Sequence, residues 1–182
     1  LATEGNLNND IGVPLTLLRL RPDHEVAVVE LGMNHPGEIA YLAAMTQPAV
    51  ALVNNAQREH LEFMSTVEAV ARENGSVIES LPDTGVAIFP ADDAFCNLWR
   101  RMAGKRTSWT FAVEPFGNVS APPDVSCKTP VWQDGAWRVK AVTPAGVQDY
   151  SLAVAGLHNV KNSLAAITCA LAAGVPLGVI GQ

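Results

Sequence analysis

Positive charge is scarce in this chain. Its 182 residues hold 12 lysines and arginines against 18 aspartates and glutamates, a net charge of −6. That balance argues against a nucleic-acid binder, which would show a basic patch. Long apolar runs are missing too, and none reaches the ~18 residues that would suggest a membrane span. Cysteine is sparse: Cys96, Cys127 and Cys169 are far apart and odd in number. They make neither a metal-spacing motif nor a disulfide framework, so a reducing cytoplasm is the expected compartment. No internal repeat or low-complexity tract interrupts the chain.

What is present is enough for a core. Hydrophobic residues make up 48% and charged residues 16%, in a length that suits roughly one domain. The chain opens at Leu1 directly into a motif and closes on Val175-Pro-Leu-Gly-Val-Ile-Gly-Gln182. Both ends read as cut, and the expectation is a fragment of a longer protein.

The pattern along the chain alternates strands and helices. Residues 13–20 read as a short helix, with Pro14 in the first turn where its missing N–H costs nothing. The β-branched run at 25–31 reads as a strand, 37–45 as a helix and 49–53 as a strand. Over 66–81, Val67, Val70, Ala71, Val77, Ile78 and Leu81 recur at helical spacing. A strand over 85–89 and a helix over 92–102 follow. This order predicts a mostly parallel sheet flanked by helices, an α/β fold.

From 107 to 154 the character changes to short alternating runs with turn signals. The stretch VWQDGAWRV predicts a hairpin, with Asp-Gly between two runs that each carry a tryptophan. A small antiparallel β layer is expected there. An alanine-rich helix then runs through 155–174 and stops at Gly174, with Pro176 beyond it.

In sheets of this kind, ligands sit outside the carboxyl ends of the strands. Glu30 and Asn54 fall at such ends. His60 follows in the next loop, between Glu59 and Glu62. These side chains either face water or hold a metal or move a proton. A glutamate and a histidine from adjacent strand ends suit a weakly held divalent ion that keeps several waters. Asn74 shares the inward stripe of the 66–81 helix, where a buried amide needs partners. It either bonds neighbouring backbone or meets the site near His60. The cluster TEGNLNNDIGVP at 3–14 either makes turns or holds a polar ligand beside a helix N-terminus. His158, Asn159 and Asn162 open the alanine-rich helix, where an N-cap with a solvated turn is the ordinary reading.

Four stretches, TEGNLNNDIGVPLTLL, VVELGMNHPGEI, ALVNNAQREHLEFMSTVEAVA and GLHNVKNSLAA, together resemble the Mur ligase family of bacterial cell-wall synthesis. They match its central ATP-binding domain, of P-loop NTPase-like fold, and span nearly the whole chain, 1–182, as an incomplete domain. The first two stretches are similar to the member that joins D-alanyl-D-alanine to UDP-N-acetylmuramoyl-tripeptide. The last is shared with folylpolyglutamate synthases. The resemblance implies ATP and Mg2+ as cofactors, and activation of a carboxylate as an acyl phosphate before the amine attacks. It implies Glu30 and His60 as metal ligands. It implies His158, Asn159 and Asn162 against the adenine. It implies Thr3, Asn6, Asn8, Asn9, Asn34 and His35 facing the muramyl peptide. A monomer is expected.

The sequence departs from the family pattern in two ways. The glycine-rich phosphate loop with Gly-Lys-Thr is absent from these residues and is expected upstream of Leu1, as the C-terminal domain is expected downstream. The fragment alone is therefore expected to be inactive. Many family members also carry a lysine, modified to a carbamate, on the helix after the metal histidine. By register that place is Asn74, which cannot form a carbamate: either Asn74 serves as a neutral ligand or hydrogen-bond partner, or Glu73 or water takes over. The alternatives are a sister ligase that adds a single amino acid or glutamate, and a nucleotide-sugar-binding module without catalysis.

Overall fold

The computed structural model describes residues 1–56, 66–117 and 119–180. The first helix, α1 (Gly12–Leu17), is followed by α2 (Glu38–Thr46) and β1 (Val50–Leu52). Next come α3 (Val67–Glu79), β2 (Val86–Pro90), α4 (Cys96–Ala103) and β3 (Thr107–Val113). The chain continues through β4 (Val125–Cys127), β5 (Val131–Gln133), β6 (Ala136–Thr143) and β7 (Gly146–Leu152), and ends in α5 (Leu157–Ala172).

All seven of these strands form one sheet. β1, β2, β3 and β4 run parallel in that order. The sheet then turns antiparallel, because β6 pairs with β4 and β5 along one edge and with β7 along the other. This amends the sequence expectation for 107–154. Strands β3 and β4 belong to the parallel sheet, and antiparallel pairing begins only where β4 meets β6. A strand's own residues do not encode the direction of its neighbour; the long connections that carry β3 and β4 to their places set it.

The core lies on both faces of the sheet. Along β2, alternate side chains point to opposite faces. Ala87 and Phe89 join a cluster with Val70, Ala71, Ile78 and Trp99 from α3 and α4. Ile88 joins Phe111, Val125, Val160 and Leu164 on the α5 side. A strand buried on both faces must be apolar throughout, which is why the VAIFP run is continuous rather than alternating. Helix α3 begins at Thr66, whose hydroxyl accepts from Ala69 N at 3.1 Å. Gly75 lets α3 approach α4 closely: a Cβ there would lie 2.6 Å from Met102 Sδ. The buried Trp99 indole donates to the Ala71 carbonyl at 2.8 Å, so a large side chain is buried without a stranded donor.

Two local expectations meet different outcomes. The Asp-Gly hairpin forms as read: Asp134 and Gly135 both take positive φ, 51° and 77°, and Trp132 pairs with Trp137 across the strands. The 25–31 run does not become a full strand of the sheet. Among the described residues it pairs with Leu1–Thr3, through a parallel bridge of Ala2 with Val28. The bonds are Val28 N to Leu1 O at 2.9 Å and Thr3 N to Val28 O at 3.0 Å. With one short neighbour, Val26 and Val28 stay exposed. Alternation makes a segment capable of pairing, but a partner on each side is what makes it a sheet strand.

Candidate functional site

An open groove of about 1600 Å³ separates the 25–34 segment from β1 and continues along α5. β1 is the edge strand on this side among the described residues. Apolar walls come from Val28, Val50, Leu52 and Ala165, with polar residues at both ends: Glu25, Gln47 and Thr84 at one, Glu30, Asn54 and Asn74 at the other. Glu30, Asn8, Asn9, Asn34, Asn74 and Asn162, all singled out in the sequence, line it together. Thr3, Asn6, His35, His158 and Asn159 do not line it. His60 lies outside the described residues, as do Glu59 and Glu62.

Glu30 is held in a defined place. Asn8 Nδ2 donates to its Oε1 at 2.9 Å, and Glu30 N donates to Thr3 Oγ1 at 2.9 Å. Gly32 N also donates to the Asn8 carbonyl at 2.8 Å. That close approach requires a glycine, since a Cβ at position 32 would sit 2.7 Å from Asn8 Cγ. Three bonds to the 3–8 segment therefore hold the stretch that presents the carboxylate, and an exposed carboxylate at a groove mouth is a hard oxygen donor suited to a magnesium-type ion. Among the described residues, no group of three or more His, Cys, Asp and Glu side chains could hold a metal unaided. A single carboxylate fits an ion that takes much of its shell from phosphate and water.

The other candidates divide by what they already touch. Asn9 Oδ1 accepts from Gly12 N at 2.8 Å and Ile11 N at 3.2 Å, closing the turn that starts α1. Asn6 takes part through its carbonyl, which accepts from Asn8 N at 2.8 Å. Asn34 N and His35 N both donate to Glu38 Oε2, at 2.6 and 3.0 Å. Those two backbone bonds, Asn34's foremost, hold the Glu38 carboxyl below its ordinary pKa. Asn74 is half-buried, and its Nδ2 donates to the Asn55 carbonyl at 3.3 Å. It thus bonds neighbouring backbone, as the ordinary reading expects, and lines the groove as well; its place relative to His60 lies outside the described residues.

At the opposite wall, the first turn of α5 is tied to two strand ends. Asn54 Nδ2 donates to Asn162 Oδ1 at 2.9 Å, and Lys161 Nζ meets Asp92 Oδ1 at 2.7 Å. Asn159 is not an N-cap: its Nδ2 donates back to the Ala155 carbonyl at 2.7 Å. Exposed His158 packs its ring over Gly156, where a Cβ would lie 2.4 Å from the ring. The links through Asn54, Lys161 and Asp92 escaped the sequence reading, because their partners lie 108 and 69 positions away. No local pattern signals such a pair. Cys96 and Cys127 are buried, while Cys169 lines the groove and burial pushes its thiol up to about 11.

A parallel sheet with a polar groove at its strand ends is the architecture of a nucleotide-using α/β enzyme domain. The model of the Mur ligase middle domain matches residues 1–170, and the chain belongs to that family. Within it, the chain is homologous to MurF. It is 40% identical over 180 residues to the UDP-N-acetylmuramoyl-tripeptide–D-alanyl-D-alanine ligase of Escherichia coli, covering 99% of this chain and 39% of that protein. To the Bacillus subtilis enzyme of the same name it is 29% identical over 182 residues. Among solved structures, MurF from Acinetobacter baumannii superposes with a TM-score of 0.91 at 37% identity, over all of this chain and 38% of that one. MurF from Thermotoga maritima, in complex with ADP, shares the fold at a TM-score of 0.81 and 21% identity. The chain thus spans about two fifths of the length of the relatives it matches.

Proposed function

We propose that the complete protein joins D-alanyl-D-alanine to UDP-N-acetylmuramoyl-tripeptide at the expense of ATP, in the cytoplasm and as a monomer. The observation that carries this reading is the placement of Glu30. In a chain homologous to MurF, its carboxylate is fixed at a groove mouth opposite Asn162. The carboxylate of the muramyl peptide takes the γ-phosphoryl group and becomes an acyl phosphate. The amine of the dipeptide then attacks the carbonyl, and phosphate leaves with its bonding pair. Magnesium, when bound, supplies positive charge for the phosphoryl oxygens.

This chain's residues would divide the work as follows. Glu30, with His60, holds the metal. Asn8 keeps the Glu30 carboxylate oriented. Asn74 supplies a neutral amide where many family members place a carbamylated lysine. His158, Asn159 and Asn162 lie against the adenine. Thr3, Asn6, Asn8, Asn9, Asn34 and His35 form the side that faces the muramyl peptide. Support for that last assignment is the way Thr3 and Asn8 converge on Glu30.

The test follows phosphate release from ATP by the complete protein with UDP-muramyl-tripeptide. D-alanyl-D-alanine, single amino acids and glutamate are offered in turn. Release that needs both magnesium and the dipeptide is the expected result. Release with a single amino acid would move the protein to a sister ligase or a folylpolyglutamate-synthase-like activity. Asn74 is the observation that favours a second reading, a nucleotide-sugar-binding module without catalysis. Binding of both nucleotides with no release for any acceptor would establish it.

A further inference from the structure

Three asparagines join the end of β1 to the first turn of α5, and their orientation reads in one direction only. Asn159 Nδ2 donates to the Ala155 carbonyl at 2.7 Å. A carbonyl only accepts, so the amide nitrogen must face it. That turns Asn159 Oδ1 toward Asn162, whose Nδ2 approaches at 3.5 Å. Asn162 Oδ1 then faces Asn54 and accepts from its Nδ2 at 2.9 Å. The series ends on Asn54 Oδ1, a buried acceptor without a partner among the described residues.

A buried polar atom left unmatched costs free energy and calls for an explanation. Holding α5 in place does not supply one. Val160, Leu164 and Ala165 already pack the helix against the sheet, and Lys161 ties the same turn to Asp92. Asn162 is exposed, so water could satisfy its oxygen in Asn54's absence. An apolar side chain at position 54 would remove the unmatched acceptor altogether. What it could not do is donate to Asn162 Oδ1 and hold that oxygen toward β1.

We propose that Asn54 is a positioning residue for the nucleotide, acting through Asn162. By donating to Asn162 Oδ1 it fixes which end of that amide faces Asn159 and which faces β1. The donor and acceptor pattern on the first turn of α5 is then set before a nucleotide arrives. Without Asn54 the Asn162 amide is oriented only by its long 3.5 Å bond to Asn159 Oδ1, and binding must supply the rest of that ordering. The inference rests on the ligase reading, in which 158–162 form the nucleotide side.

The experiment uses the complete protein and its Asn54→Leu, Asn54→Ala, Asn162→Ala and doubly substituted Asn54→Leu/Asn162→Ala forms. Thermal midpoint, and KM for ATP and kcat in magnesium-dependent phosphate release, are measured for each. Asn54→Leu should hold or raise the midpoint while KM for ATP rises roughly five- to tenfold, the scale of one hydrogen bond. The double variant should be no worse than Asn162→Ala, since both changes remove one coupled unit. If the leucine variant does not fold, the alanine variant carries the same expectation. An unchanged KM in the Asn54 variants, or effects that add fully to Asn162→Ala, would overturn the role of Asn54. A wild-type protein that releases no phosphate from ATP would overturn the ligase reading and this inference with it.

Discussion

The two ends of the sheet are built on different principles. At the far end, β6 and β7 pair along their whole lengths, from Trp137 with Leu152 to Thr143 with Gly146. The hairpin beside them closes on Asp134-Gly135 and stacks Trp132 on Trp137 edge to face, with centroids 5.3 Å apart. Everything there is near in sequence. At the groove end, β1 is three residues long. The segment carrying Glu30 is tied to Leu1–Thr3 and Asn8, and Asn54 reaches a partner 108 positions away. The far end is stabilised by local, repeated contacts. The groove end is held by contacts between residues distant in sequence, which bring polar groups from several segments to one place.

Substitutions can break this contrast or sharpen it. The largest effect is expected from Trp99→Ala in the core under the groove, where a fully buried side chain is lost. It should cost about 3–5 kcal/mol by denaturant unfolding. A cost near zero would mean that α3 and α4 do not carry this half of the sheet. Next comes Glu30→Gln, which keeps an oxygen for Asn8 but removes the charge. Turnover of the complete protein should fall on the order of a hundredfold, with the thermal midpoint unmoved. Equal loss of both would make Glu30 a structural residue.

Gly135→Val should show the reverse signature. A β-branched residue at the left-handed position of the hairpin should cost about 1–2 kcal/mol of stability, while KM and kcat stay at wild-type values. Thr66→Ala removes the hydroxyl that accepts from Ala69 N and should cost about 1 kcal/mol. The smallest effect concerns Glu38, whose pKa is lowered by the Asn34 and His35 N–H bonds. A lowered carboxyl stabilises the fold above the ordinary glutamate range and loses that contribution as pH falls through its folded value. Glu38→Gln should flatten the acid limb of the stability profile. An unchanged limb would show that the 34–35 turn does not depend on the carboxylate.

The same contrast explains what could be read in advance. Helices α2, α3 and α5 declare themselves through apolar spacing and stop signals. The hairpin does so through Asp-Gly. Glu30 ends an otherwise apolar strand, Asn74 sits on the inward stripe of its helix, Asn162 reads only as part of a solvated helix start, and the structure brings all three to one groove. Pairing was harder to see. Nothing in Thr107–Val113 states that its neighbour runs parallel, and nothing in 25–31 states how few neighbours it has. The bond from Asn8 to Glu30 crosses 22 positions and that from Lys161 to Asp92 crosses 69. Such contacts are products of the fold, and a residue-by-residue pattern has no period that encodes them.

The most direct measurement is a structure of the complete protein with magnesium and a non-hydrolysable ATP analogue. The account predicts a magnesium ion ~2.0–2.1 Å from a Glu30 oxygen, with His60 on the same ion and the base against residues 158–162. A nucleotide and ion bound elsewhere, with Glu30 still joined only to Asn8, would contradict it.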